Sequence, residues 1–362
     1  MSDTPTPRVW FITGASSGFG ALLARELLHR GQRVIATARD TSKIDDLPTL
    51  YPDTARIFAL DVTKPAEIES VAAIALTAFG HIDVLVNNAG YGVNGAIEEV
   101  SEAEFEPMFQ TNLYGLIRVT KAFLPHFRER RSGHIFNLSS IGGLIGGAGW
   151  GFYNVTKFAV EGFSEALAAE LKPLGVHVTV IEPGPFRTDF LGRSGKLAAM
   201  ELPEYEDTAG RAREYLETQS GKQPGDPQKA IEAIITVADA PNPPLHLILG
   251  KIALTRFRGK LADWEKEIAA WEPVTLGADF PDGKYRLSAA AGCPRSGFSD
   301  LGQLRFSRET QSAASSTQRD PGLPLRYAAK SFRTSGNSSS ILSCTTLAAI
   351  RPRAPRSSRT SP

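Results

Sequence analysis

Tyr153 and Lys157 stand four positions apart, a spacing that brings a phenol and an amine to one face of a helix. A tyrosine with a reference pKa of about 10 relays protons poorly at neutral pH unless a nearby cation stabilises its phenolate, and Lys157 is placed to do that. A second group of residues is suited to a different task. Thr13-Gly14-Ala15-Ser16-Ser17-Gly18-Phe19-Gly20 follows an apolar run and leads into a helical pattern. Such a turn lets the backbone approach a pyrophosphate, whose charge is met by free N–H groups and the positive end of the helix dipole. The spacing Gly-x3-Gly-x-Gly differs from the commoner dinucleotide fingerprint Gly-x-Gly-x2-Gly. Asn87-Asn88-Ala89-Gly90 closes a later apolar run. Each piece also has a structural counterpart: glycine turns serve as packing corners, asparagines satisfy turn backbone, Asp61 caps a helix, and (i, i+4) pairs are surface neighbours.

The elements that would hold these groups follow from periodicity. Seven apolar or β-branched runs, Val9–Thr13, Val34–Thr37, Ile57–Leu60, Val84–Val86, His134–Leu138, Val176–Ile181 and His246–Leu249, read as strands. Several lack alternation, as expected where both faces of a sheet are covered. Between them lie the helical stretches Gly18–Arg30, Lys64–Phe79 with Pro65 in its first turn, and Tyr153–Lys172 stopped by Pro173. This alternation predicts an α/β fold, a doubly wound, mostly parallel seven-stranded sheet with helices on both faces, over residues 8–283. Phe190–Pro227, irregular and glycine-punctuated, reads as a lid insertion or a surface excursion.

Composition narrows the function classes. No apolar run reaches the ~18 residues of a membrane span. Residues 1–7, read as flexible, lack the profile of a secretory or transit segment, so the cytoplasm is the expected location. From Lys284 to Pro362 there are 13 Lys+Arg against 3 Asp+Glu, a net charge of +10 that leaves −9 for residues 1–283. That tail is Ser- and Arg-rich without periodicity and is expected to be disordered. It carries no recognised nucleic-acid-binding module, so a nucleic-acid partner is not expected. Cys293 and Cys344 both fall in it, which excludes a disulfide, a cysteine nucleophile or a thiolate metal site in the body, and no metal is expected.

Taken together and in this order, the residues resemble the short-chain dehydrogenase/reductase family over roughly Arg8 to Leu249. Thr13–Gly20 is similar to its cofactor turn, Asn87–Gly90 to its fourth-strand motif, and Asn112, Ser140, Tyr153 and Lys157 to its active site. The resemblance implies hydride transfer between a nicotinamide cofactor and a carbonyl or secondary alcohol, with Tyr153 as acid or base. It further implies that Lys157 also bonds the nicotinamide ribose, that Ser140 polarises the substrate oxygen, and that Asn112 holds a water linking Lys157 to solvent. Ser139 is the rival of Ser140; thirteen positions separate Ser140 from Tyr153, the family's offset, and a neighbouring strand-exit serine would face the other way. Cofactor contacts are carried over to Thr13, Gly14, Ser16, Ser17, Gly18, Phe19, Gly20, Asp61, Val62, Asn88, Ala89 and Gly90, to Tyr153 and Lys157, and to Pro183, Gly184 and Thr188 at the carboxamide. At the end of the second strand Ala36-Thr37-Ala38 offers no acid, Arg39 is the first charge and Asp40 follows it, so NADP(H) is expected over NAD(H). A lipophilic substrate (steroid, retinoid, polyketide or aromatic ketone) and a homodimer or homotetramer are implied by the same resemblance. An epimerase or dehydratase that uses the cofactor transiently, and a catalytically silent nucleotide sensor, stay open.

Overall fold

The computed structural model describes residues 6–280. The expectations for the residues before Thr6 and for the basic stretch from Lys284 to Pro362 lie outside the described residues. The strands are β1 (Val9–Ile12), β2 (Arg33–Ala38), β3 (Ala55–Ala59), β4 (Val84–Asn87), β5 (Gly92–Asn94), β6 (Gly133–Leu138), β7 (Val176–Pro183), β8 (Gly195–Leu197) and β9 (His246–Leu249). The helices are α1 (Gly18–His29), α2 (Leu47–Leu50), α3 (Pro65–Ala78), α4 (Glu102–Phe109), α5 (Leu116–Arg130), α6 (Ile141–Leu144), α7 (Gly151–Leu171), α8 (Arg211–Thr218), α9 (Pro227–Asp239) and α10 (Lys251–Leu276). Seven strands form one parallel sheet in the order β3-β2-β1-β4-β6-β7-β9. All seven expected strands are present, to within two residues at either end.

The sheet is covered on both faces, and β1 shows why its sequence does not alternate. Trp10 and Ile12 pack into one core with Leu23, Leu27, Ile231 and Ile234 from α1 and α9. Val9 and Phe11 point into the other with Val71, Val119, Phe123 and Leu167 from α3, α5 and α7. Helix α1 buries Gly20, Leu23, Ala24, Leu27 and Leu28, the stripe of an amphipathic helix. Strand order reverses between β1 and β4, both of which end at the same edge. A crevice at the carboxyl ends of such strands is the usual ligand site of an open α/β sheet.

A buried histidine on β6 gives this core a pH signature. His134 stacks on Phe136 at 4.0 Å between ring centroids, and its Nε2 lies 2.9 Å from Thr179 Oγ1. Burial, aided by the nearby His177 and Arg8, pushes its pKa down to about 3. The unfolded chain then binds a proton that the native chain refuses, and stability is lost as pH falls below about 6.5, by up to about 1.4 kcal/mol per pH unit for this one group. Urea denaturation between pH 7 and pH 4 should show this slope, and His134→Gln should flatten it.

Sequence periodicity named α1, α3 and α7, and β5, β8, α10 and the remaining described helices escaped it. β5 and β8 pair as a separate two-stranded sheet, and α10 follows β9 directly. The Phe190–Pro227 stretch is correspondingly more fastened than a loose lid. It contributes β8 and α8, and Arg213 of α8 meets the buried Glu99 carboxylate at 3.2 Å. Glu99 also accepts from the amides of Leu202 at 2.8 Å and Ala96 at 2.7 Å. Burial pushes the Glu99 carboxyl up, but the two amides and Arg213 outweigh it and hold it below the usual carboxylate range. This anchor ties the segment to the β5–α4 connection.

Candidate active site

The carboxyl ends of the parallel strands open into one cleft of about 1430 Å³. Its floor is the turn after β1. Gly14 has φ +68°, and a Cβ there would stand 2.9 Å from Ala89 Cα. A Cβ on Gly20 would come within 2.6 Å of Gly14 O. Neither position admits a side chain, so the turn stays low against the strand ends. Ser17, the N-cap of α1, is extended and its side chain makes no capping bond, so the first-turn N–H groups lack a side-chain partner beside the cleft that Ser17, Gly18 and Phe19 line. A low glycine turn under a helix N-terminus fits a pyrophosphate, and the residues present therefore suit a dinucleotide.

Most residues expected at the site line this cleft: Gly14, Ser16, Ser17, Gly18, Phe19, Arg39, Asp61, Val62, Asn88, Ala89, Gly90, Ser140, Tyr153, Lys157, Pro183, Gly184 and Thr188. Thr13, Gly20 and Asn112 are not among its lining residues. Thr13 is buried; its hydroxyl accepts from the amides of Asn88 (3.0 Å) and Ala89 (3.1 Å) and so joins the ends of β1 and β4. Asn88 completes the clamp, its amide donating to Thr13 O and Gly14 O at 2.9 and 3.0 Å. Gly20 serves close packing of α1 on the turn.

Asn112 lies in a π-helical turn, Gln110–Gly115, between α4 and α5. Its Nδ2 donates to Tyr91 O (2.7 Å) and Thr156 Oγ1 (3.3 Å), and its Oδ1 accepts from Tyr91 N (3.0 Å). The side chain thus straps the β4–β5 connection to α7. It also borders the lysine: a Cβ on Gly90 would lie 3.1 Å from Asn112 Oδ1 and 3.8 Å from Lys157 Nζ.

Ser140, Tyr153 and Lys157 converge. Ser140 caps α6, its Oγ accepting from Gly142 N at 3.0 Å. Ser139, by contrast, turns its hydroxyl toward Lys157 O, 3.5 Å away. Burial pushes the Tyr153 phenol up to about 12, and the hydroxyl of Ser140 is the hydrogen-bond partner that opposes it. Burial likewise pushes the Lys157 ammonium down to about 8, with the nearby Glu161 carboxylate opposing. Lys157 Nζ donates to Leu138 O at 2.7 Å and stands 5.7 Å from the Tyr153 ring centroid. In this arrangement Ser140, rather than Lys157, offsets the burial of the phenol.

Further residues join Tyr153 in lining the cleft. Trp150, Tyr153 and Phe190 form an aromatic wall, with ring centroids 5.6 to 6.2 Å apart. Ile252 and Arg256 reach the cleft from α10. At the opposite end, Arg39 is exposed at the end of β2, while Asp40 bends back to accept from Ser42 N at 3.0 Å. Asp61 accepts from the amide and the hydroxyl of Thr63, at 2.9 and 2.8 Å. Both acids near Arg39 are therefore engaged locally. Among the described residues no helix is long and apolar enough to cross a membrane.

Known proteins share this framework. A solved short-chain dehydrogenase from Streptomyces avermitilis is 42% identical, with a TM-score of 0.71 over 77% of this chain and 100% of that one. A serine dehydrogenase solved in complex with NADP+ is 31% identical, with a TM-score of 0.58 over 67% of this chain and 94% of that one. Retinol dehydrogenase 8 of Homo sapiens is 36% identical over 258 residues, 66% of this chain and 80% of that protein. The family model for the short chain dehydrogenase matches residues 8–197, the span that carries the glycine turn, Ser140, Tyr153 and Lys157. The chain belongs to the short chain dehydrogenase family.

Proposed function

We propose that the protein is an NADP(H)-dependent oxidoreductase acting on the carbonyl or secondary alcohol of a lipophilic substrate. The observation that carries this reading is the convergence of Ser140, Tyr153 and Lys157 in the cleft whose floor is the Gly14–Gly20 turn. The dinucleotide, when bound, supplies or accepts the hydride. The chain's residues do the rest. Ser16, Ser17 and the α1 N-terminus meet the pyrophosphate, Arg39 reads the adenosine 2′-phosphate, and Pro183, Gly184 and Thr188 border the far end. Ser140 donates a hydrogen bond to the substrate oxygen where negative charge grows. Tyr153 gives that oxygen its proton, or takes it in the reverse direction. The acid form of the phenol prevails at neutral pH, ready to give its proton to a carbonyl oxygen. Lys157, charged below about 8, stabilises the phenolate left after transfer and reaches the ribose.

Lipophilic substrates are supported by the wall of Trp150, Tyr153 and Phe190 beside the phenol, and by the likeness to a retinol dehydrogenase. NADP(H) is supported by Arg39 and by the neighbour solved with NADP+. Oxidation and reduction assays with lipophilic alcohols and ketones and both coenzymes test the proposal. Stoichiometric NADPH consumption with a ketone is expected. Product formed without net NADPH consumption would assign an epimerase or dehydratase instead, and no turnover across the panel would leave a nucleotide-binding protein.

A further inference from the structure

Helix α10 leaves the body of the protein partway along its length. Ala253 is buried and Lys260 Nζ bonds Leu144 O, but every residue from 261 to 276 is exposed. At 1.5 Å per residue this is about 24 Å of solvent-surrounded helix, a length that is marginal in isolation. It nevertheless displays Leu261, Trp264, Ile268 and Trp271, each between 46% and 66% exposed. With Leu254 and Phe257 ahead of them, these residues follow alternating steps of three and four, the repeat of a coiled-coil seam. Gly259 and Pro273, the poorest helix formers in α10, both fall at the position of that repeat opposite the seam.

Charge is divided along the same helix. Lys251, Arg256, Arg258 and Lys260 occupy its first half, whereas Asp263, Glu265, Glu267 and Glu272 dominate the second. A parallel copy would set like against like. An antiparallel copy sets each basic half against an acidic one.

We propose that α10 pairs antiparallel with α10 of a second copy of this chain, about a two-fold axis between residues 262 and 263. In that register Leu254 faces Trp271 of the second copy, Phe257 faces Ile268, and Leu261 faces Trp264. The positions flanking the seam then oppose Lys251 to Glu272, Arg258 to Glu265 and Lys260 to Glu267, each twice by symmetry. The pairing covers the exposed indoles and gives the outer half of α10 a packing partner.

The test uses the full chain in light scattering and sedimentation across concentrations, with vesicles of phosphatidylcholine and phosphatidylserine as a control. Leu261→Glu combined with Ile268→Glu should halve the native mass while far-ultraviolet dichroism of the body is retained. Arg258→Glu or Glu265→Arg alone should weaken association by about tenfold, since each replaces two attractive pairs by two repulsive ones, and the double exchange should restore it. Zero-length carbodiimide coupling of mixed ¹⁴N and ¹⁵N protein should join Lys260 to Glu267 between differently labelled chains. A native mass indifferent to the seam variants overturns the proposal. So do couplings confined to one label, or a protein that stays monomeric and binds the vesicles through α10.

Discussion

Tyr153→Phe is expected to lower kcat/KM for carbonyl reduction by about 10²–10⁴-fold, the range in which a positioned general acid contributes. The variant removes one oxygen from a side chain that is 8% exposed and packed between Trp150 and Phe190, so the ring contacts are kept. Coenzyme affinity, measured by fluorescence titration with NADPH, should stay unchanged, because the phenol hydroxyl is not part of the glycine-turn floor. Lys157→Ala should damage both quantities, as its ammonium bonds Leu138 O and faces the cleft. A Phe variant that retains turnover would mean that another group supplies the proton.

The second large effect concerns coenzyme choice. Arg39→Asp is expected to shift the ratio of kcat/KM for NADPH over NADH by about 10²-fold toward NADH. A charge-assisted hydrogen bond to phosphate is worth about 1.5–3 kcal/mol, each 1.4 kcal/mol is tenfold, and the new carboxylate would repel the 2′-phosphate. Arg39 is exposed and Asp40 and Asp61 are engaged with Ser42 and Thr63, so the change leaves the surrounding hydrogen bonds in place. An unaltered ratio would show that Arg39 does not read the phosphate.

The parallel sheet was legible in the sequence because strands covered on both faces are written as runs of apolar or β-branched residues, as Val9–Ile12 and Val34–Ala38 are. Ser140, Tyr153 and Lys157 were expected from the family resemblance and its offsets and do line one cleft, with the Ser139 hydroxyl turned toward Lys157 O. Thr13 and Asn112 were found for their identity but not for their partners, since a hydrogen bond to Asn88 or Tyr91 joins residues distant in the chain. β5 and β8 escaped because strands of three residues containing Gly92 or Lys196 carry no alternation to detect. Helix α10 escaped for another reason. Its apolar residues are arranged for a seam rather than for the wide stripe of a helix lying on a core, and Gly259 and Pro273 read as breakers.

The Thr13–Asn88 clamp bears on how coenzyme affinity is divided between enthalpy and entropy. With the ends of β1 and β4 stitched together by the Thr13 hydroxyl and the Asn88 carboxamide, the pyrophosphate floor is already rigid when the dinucleotide arrives. Little ordering remains for the docking step, and calorimetric titration should record a small conformational penalty. Thr13→Val, which keeps the shape and deletes the stitch, should raise that penalty and quicken coenzyme release while the chemistry at Tyr153 proceeds as before.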